Sequence, residues 1–300
     1  MVIMTMEWRT VEIRDEKGDG FDTVQCEDLV FPKQFLHIQP DVRMKDIKEF
    51  KYRDGDVLIC SYPKTGTHWV FNLVHFLMAP GPVEQKLMPS PRLLDLHPLT
   101  EIEQLPSRAF AIISLKPNNF RGNFLKGRGK IHFVCSPTLG AHQGLSHFTY
   151  KRHEVFNFSK LSWDCFFDNW TKGQIPTGSY FDYYNSWEKS LQEQNTNLNV
   201  HIVFYENLIK DGLGELKKLQ QFLGVTNTED RLNQILDRCS WRRIKVDVKT
   251  GEQPAQPDQS ELTRKGVIGH WRSKFTVSQD EMFNKILEQK FKNSMFNQPI

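Results

Sequence analysis

The options open to this chain narrow most around Leu58-Ile59-Cys60-Ser61-Tyr62-Pro63-Lys64-Thr65-Gly66-Thr67-His68-Trp69-Val70. Val57, Leu58 and Ile59 form an apolar run of strand character, and Pro63 and Gly66 punctuate a turn. From Thr67 onward, Trp69-Val70-Phe71, Leu73-Val74 and Phe76-Leu77 recur at helical spacing. A buried strand, a glycine-containing loop and a helix together place backbone N–H groups and the positive end of a helix around an anion. Lys64 adds a cation to such a loop, and Thr65 and Thr67 add hydroxyl donors. Taken alone, Lys-Thr-Gly-Thr also reads as a surface turn with a solvated lysine. The P-loop pattern G-x-x-x-x-G-K-[ST] is absent, because Lys64 precedes the loop's only glycine. That argues against a P-loop kinase or nucleoside triphosphatase.

The rest of the chain is consistent with an α/β domain around this element. Ala109–Ile113, Lys130–Cys135 and Val200–Tyr205 are further strand candidates. Trp163–Asn169, Tyr180–Gln192, Leu213–Leu223, Arg231–Cys239 and Gln279–Lys292 carry helical patterns. Short apolar strands separated by helices predict a mainly parallel central sheet with helices on both faces. Residues 1–50 mix charge and turn residues. Within them Asp15-Glu16-Lys17-Gly18-Asp19-Gly20 reads as a loop, Phe31-Pro32 and Phe35 as anchors, and Asp41–Phe50 as a short helix. Arg53-Asp54-Gly55-Asp56 is the turn before the first strand of the core. Residues 84–107 and Thr250–Gln259 read as loops.

Composition excludes several classes. A chain of 300 residues with 39% hydrophobic content, 22 Phe and 7 Trp can bury a thick aromatic core. A net charge of +3 does not single out nucleic acid as a partner. The five cysteines, Cys26, Cys60, Cys135, Cys165 and Cys239, are far apart and form no C-x-x-C, which argues against a disulfide framework and a zinc site. The first residues turn acidic too early for a signal peptide, and no run approaches the roughly 18 apolar residues of a membrane span. The expectation is a cytoplasmic protein with no membrane, nucleic-acid or metal partner.

A second basic element lies far along the chain, Arg264-Lys265-Gly266-Val267-Ile268-Gly269-His270-Trp271-Arg272. Two adjacent cations and a glycine suit a phosphate dianion, since guanidinium offers a rigid fork and glycine admits the backbone. By itself it could equally be a solvated turn. Together, Ser61–Trp69 and this string resemble the cytosolic sulfotransferases, whose loop reads T/S-Y-P-K-S/T-G-T-T-W and whose later element reads R-K-G-x-x-G-x-W-[KR]. Phe204-Tyr205-Glu206-Asn207-Leu208 resembles that family's F-Y-E-D strand end, and Cys239-Ser240-Trp241 its T-S-F segment. Arg272, Thr276, Val277 and Glu281 match its dimerisation pattern K-x-x-x-T-V-x-x-x-E, with Arg for Lys. The likeness covers roughly residues 28–293, leaving 1–27 as an N-terminal extension of one domain spanning 1–300. His68 departs from it, standing where threonine is usual.

The resemblance implies a sulfotransferase that takes the sulfuryl group from PAPS (3′-phosphoadenosine 5′-phosphosulfate), needs no metal and releases PAP. The acceptor would be a small molecule bearing a hydroxyl or amine, such as a phenol, alcohol, steroid or amine, and the protein would be a homodimer. Lys64 would be catalytic, neutralising charge on the bridging oxygen. Lys64, Thr65, Gly66, Thr67, His68 and Trp69 would hold the 5′ end and Arg264, Lys265 and Gly266 the 3′ end. Tyr205, Ser240 and Trp241 would hold the nucleotide, with the Trp241 ring stacking on adenine.

One window departs from the pattern. The family carries K-T-H-L-P, whose histidine removes the acceptor proton. Aligned on Pro117, Leu115 occupies that place, and leucine carries no proton. His97 lies too far upstream to replace it, whereas His68 sits within the loop. The family's phosphate-binding arginine and serine align with Ser136 and Gly144. From Gln104 to His153 there is no Asp or Glu in 50 residues, against 36 in 300 overall. Three explanations stay open: a basic surface for an acidic partner, loss of catalysis in a PAP- or PAPS-binding pseudoenzyme, or a local error in the deduced sequence.

Overall fold

The computed structural model describes residues 9–26, 29–32, 42, 45, 50, 55–63, 65–79, 81–83, 109–112, 117, 130–135, 161–175, 178–193, 199–240, 242–243 and 275–297. Lys64, Trp241, Arg264, Lys265, Gly266 and Arg272 lie outside these residues. So do Phe35, His97, Leu115, Ser136, Gly144 and the loops 84–107 and 250–259.

The centre is β4, Val57–Ser61, with all five residues buried. It pairs in parallel with β5 (Ala109–Ile112) on one side and β6 (Lys130–Cys135) on the other. Ile59 is registered against Ala111 and His132. β6 in turn pairs in parallel with β7, Asn199–Phe204, giving the order β5-β4-β6-β7. An uninterrupted apolar strand is what a parallel sheet covered on both faces requires. Successive β4 side chains indeed feed two different cores. Val57 and Ile59 pack with α1 (Thr67–Met78), α5 (Gly212–Leu223) and α6 (Glu229–Arg238). Leu58 and Cys60, followed by Tyr62, pack with α2 (Trp163–Thr171), α3 (Tyr180–Glu193) and α7 (Val277–Phe291). This is the expected parallel sheet with helices on both faces.

The chain passes from β4 to β5 on one flank and then to β6 on the other. The strand order therefore reverses at the carboxyl end of β4, the place where open α/β sheets form a ligand crevice. Ser61 lies at that point.

Two sequence expectations change, and a third, the loop at 15–20, holds but gains flanking strands. The loop read at 15–20 is the turn of a hairpin. β1 (Arg9–Arg14) and β2 (Gly20–Cys26) pair antiparallel, and β3 (Leu29–Pro32) extends them, registering Phe31 against Val24. Arg9, Glu12 and Arg14 break the apolar–polar alternation of β1 and hide the strand, while Ile13 and Val24 enter the core. Tyr205 does not end β7. It begins α4, Tyr205–Lys210, a six-residue helix too short to leave a periodic signal. The last helix starts at Val277, where Thr276 and Gln279 form a reciprocal capping box. The helix read at 41–50 is described only at Val42 and Lys45, with Phe50 buried beyond it.

The hairpin is tied to the body. The Asp15 carboxylate accepts from the Lys17 and Asp19 N–H groups at 2.9 and 3.1 Å and from the Ser162 N–H at 3.0 Å. Partial desolvation opposes ionisation of Asp15, but these backbone donors outweigh it and hold its carboxyl below the usual range.

Candidate functional site

The loop between β4 and α1 is shaped by its own short-range hydrogen bonds. Thr65 donates its N–H (3.3 Å) and its hydroxyl (2.6 Å) to the Tyr62 carbonyl, which closes a tight turn. The Ser61 and Thr67 hydroxyls lie 2.5 Å apart and join the last residue of β4 to the first of α1. Both threonines read as donors for an anion thus also hold the loop's shape, and both are buried.

Gly66 is the N-cap of α1 at φ 101°, ψ 17°, a left-handed conformation that L side chains adopt at a cost. Its carbonyl accepts the Val70 N–H at 3.1 Å, the first bond of the helix. Glycine supplies no capping side chain, and the first turn, Thr67-His68-Trp69, holds no carboxylate. The N–H groups of a first helical turn have no acceptor within their own helix, and the helix dipole favours negative charge there. His68 is exposed in this turn, and its carbonyl accepts from Asn72 Nδ2 at 2.8 Å.

From the far side of the sheet, β7 delivers Tyr205 onto the same glycine. A Cβ added to Gly66 would lie 3.1 Å from Tyr205 Cδ2. The Tyr205 and Trp69 rings meet edge to face, with centroids 5.2 Å apart at 72°. The structure therefore brings Tyr205 to Thr65, Gly66, Thr67 and Trp69, although it follows Trp69 by 136 positions in the chain (205 − 69). Burial pushes the Tyr205 phenol up, and neighbouring Glu206 adds to the effect, so the group stays a neutral hydroxyl donor at physiological pH.

Ser240 follows α6 directly. Its hydroxyl accepts the Arg243 N–H at 3.2 Å, and its own N–H donates to the Asp237 carbonyl at 3.0 Å. Its link to the loop runs through the core, because Leu232, Ile235 and Cys239 pack in the cluster that holds Val57 and Val70. Burial raises the Cys239 thiol to about 12, so it acts as an apolar core residue.

Two supports were not legible in the sequence. The Tyr62 N–H donates to Tyr184 Oη at 3.3 Å, while Tyr62 Oη donates to the Gly178 carbonyl at 2.6 Å. The run Tyr180, Phe181, Tyr183, Tyr184 announces an aromatic core but not this tie. At the other end of α1, Arg231 donates to the Phe76, Ala79 and Gly81 carbonyls at 3.1, 2.8 and 2.7 Å, and to Asn227 Oδ1 at 2.8 Å. A cation is thus fixed at the negative end of the helix whose positive end faces the loop.

Among the described residues, no group of three or more His, Cys, Asp or Glu is arranged to hold a metal ion. None of their helices is long and apolar enough to cross a membrane.

Comparison with known proteins bears on the same element. The family model for the sulfotransferase domain matches residues 54–295. Human sulfotransferase 2A1 is 28% identical over 281 residues, covering 90% of this chain and 95% of that protein. Human sulfotransferase 1C2 is 26% identical over 283 residues, covering 84% and 88%. Among solved structures, mouse sulfotransferase SULT7A1 complexed with PAP superposes with a TM-score of 0.71 at 24% identity, over 89% of this chain and 94% of that one. Retinol dehydratase in complex with androsterone and the inactive cofactor PAP gives 0.71 at 15% identity, over 99% of both chains. The fold is shared with both.

Proposed function

The chain belongs to the sulfotransferase family, and we propose that it transfers the sulfuryl group of PAPS to a hydroxyl or amine of a small-molecule acceptor. The observation that carries this reading is the loop itself. Gly66 opens α1 without a capping side chain or first-turn carboxylate, at the strand-order reversal, with Tyr205 and Trp69 packed beside it. That geometry fits a 5′-phosphosulfate, and the two solved relatives hold PAP. PAPS would supply the sulfuryl group.

Within this reading the N–H groups of Gly66, Thr67, His68 and Trp69 hold the anion. The Thr65 and Thr67 hydroxyls keep the loop in shape. Lys64, by the family's pattern, neutralises charge on the bridging oxygen, while Arg264, Lys265 and Gly266 grip the 3′-phosphate. Tyr205, Ser240 and Trp241 hold the nucleoside. As in phosphoryl transfer, positioning and charge stabilisation would supply most of the rate. Retinol dehydratase structures hold androsterone or retinol, so apolar alcohols head the acceptor panel, followed by phenols and amines. The protein would act in the cytoplasm as one domain over 1–300. It would form a homodimer through Arg272, Thr276, Val277 and Glu281. Val277 is 78% exposed at the start of α7, which suits a residue awaiting a partner.

A second reading has its own support. Leu115, Ser136 and Gly144 stand where the family has its histidine, arginine and serine, as a PAP- or PAPS-binding protein without turnover would allow. Calorimetry with PAP, run beside transfer of labelled sulfate from PAPS to the acceptor panel, separates the two. Binding with transfer supports the enzyme. Binding without transfer supports the impaired protein, and absence of PAP binding overturns both.

A further inference from the structure

We infer that Tyr184, on the second turn of α3, is a positioning residue for the anion loop, holding it from beneath through the backbone of Tyr62. Tyr184 lies 122 residues from the loop in sequence, and its phenol oxygen accepts the Tyr62 N–H at 3.3 Å. Both residues are fully buried. The N–H that Tyr184 holds lies in the Ser61–Tyr62 peptide, and the carbonyl that accepts both Thr65 donors lies in the next one, so a shift of the Tyr62 backbone between them would move the turn that presents Gly66 and the start of α1. The Tyr62 side chain is pinned independently by the Gly178 carbonyl at 2.6 Å, just before α3. It is held edge-on by the Tyr180 and Tyr183 rings, at centroid distances of 5.5 and 5.9 Å. The ring cluster thus fixes where the Tyr62 side chain sits, and the Tyr184 oxygen holds the Ser61–Tyr62 peptide that enters the turn. Removing that oxygen weakens the hold on the Ser61–Tyr62 peptide and lets the Tyr62 backbone shift.

The inference rests on reading the loop as the donor-binding site, and its test keeps the two apart. Tyr184→Phe preserves the ring and removes the phenol hydroxyl that accepts the Tyr62 N–H. Ser186→Ala, which deletes a hydrogen bond to the Tyr183 carbonyl confined to α3, serves as control. Two readouts are taken on the full chain: amide exchange of Tyr62 relative to Ile59 in β4, and PAP affinity by calorimetry. In the wild type the Tyr62 amide is expected to be protected like that of Ile59. In Tyr184→Phe its exchange should accelerate at least about tenfold beyond any change at Ile59, and PAP should bind about tenfold more weakly. Ser186→Ala should move neither. The inference is overturned if wild-type Tyr62 exchanges like an open loop amide. It is also overturned if the variant loses Tyr62 and Ile59 protection in step, as a purely stabilising residue would, or binds PAP with wild-type affinity. Failure of the wild type to bind PAP would instead overturn the donor-site reading. The exchange comparison would still report whether Tyr184 holds the loop.

Discussion

Replacing Gly66 by alanine separates backbone strain from site geometry, because the residue is constrained twice. At φ 101° an L residue adopts a conformation that costs roughly 1–2 kcal/mol. The new Cβ would also sit 3.1 Å from Tyr205 Cδ2, tighter than ordinary van der Waals contact, so the ring must yield by a few tenths of an ångström. The ring is edge-packed on Trp69, and the displacement passes to the first turn of α1. We expect a loss of about 1–3 kcal/mol, read as a fall in melting temperature at roughly 2 °C per kcal/mol for a chain of this size. PAP affinity should fall about tenfold or more, since the altered atoms border the anion site. Gly224→Ala is the matched control. Gly224 is the left-handed C-cap of α5 at φ 71°, so it carries the backbone penalty but lies at a helix end outside the loop. Thermal denaturation with and without PAP distinguishes the two. If Gly66→Ala binds PAP as the wild type does and loses no more stability than Gly224→Ala, the proposed closeness of Gly66, Tyr205 and the anion is refuted.

Two further outcomes follow from the packing. Arg231→Met should cost about 2–4 kcal/mol in chemical denaturation, because three backbone carbonyls at the end of α1 lose a charged donor; a loss under about 0.5 kcal/mol would mean that water replaces the guanidinium without penalty. Stability should also fall as the solution is acidified below about pH 6.5. Burial lowers His75, and burial, partly offset by Glu215, lowers His201. Between the unfolded and folded values the unfolded chain binds more protons, so acid favours unfolding there. His75→Gln should flatten that part of the denaturation-midpoint profile, and an unchanged slope would remove His75 as a contributor.

The parts legible in the sequence are those in which one stretch carries its own signal. The β4 run is apolar without alternation because both faces are covered, and Pro63, Gly66 and the periodicity from Thr67 mark loop and helix locally. Parallel pairing and two-sided helix cover followed from the alternation of elements. The hairpin was missed because β1 shows water its charged residues, Arg9, Glu12 and Arg14, and buries only Ile13 fully. α4 was missed because Tyr205 continues an apolar strand pattern into a helix of under two turns. Motif likeness placed Tyr205 near the donor, but its packing on Gly66 depends on where β7 ends relative to α1. The Tyr184 and Arg231 ties join residues about 120 to 155 positions apart through backbone atoms, which no residue type encodes.

The central claim is that this loop holds the 5′ end of a nucleotide whose 3′-phosphate is gripped elsewhere in the same chain. Calorimetric titration of the full chain with PAP and, separately, with adenosine 5′-phosphate tests it most directly. The two ligands differ only in the 3′-phosphate, which Arg264 and Lys265 are proposed to hold. The account predicts one PAP per chain, bound at least about tenfold more tightly than adenosine 5′-phosphate, as the loss of one charged contact requires. Equal affinity for the two ligands, or no binding of PAP, would contradict it.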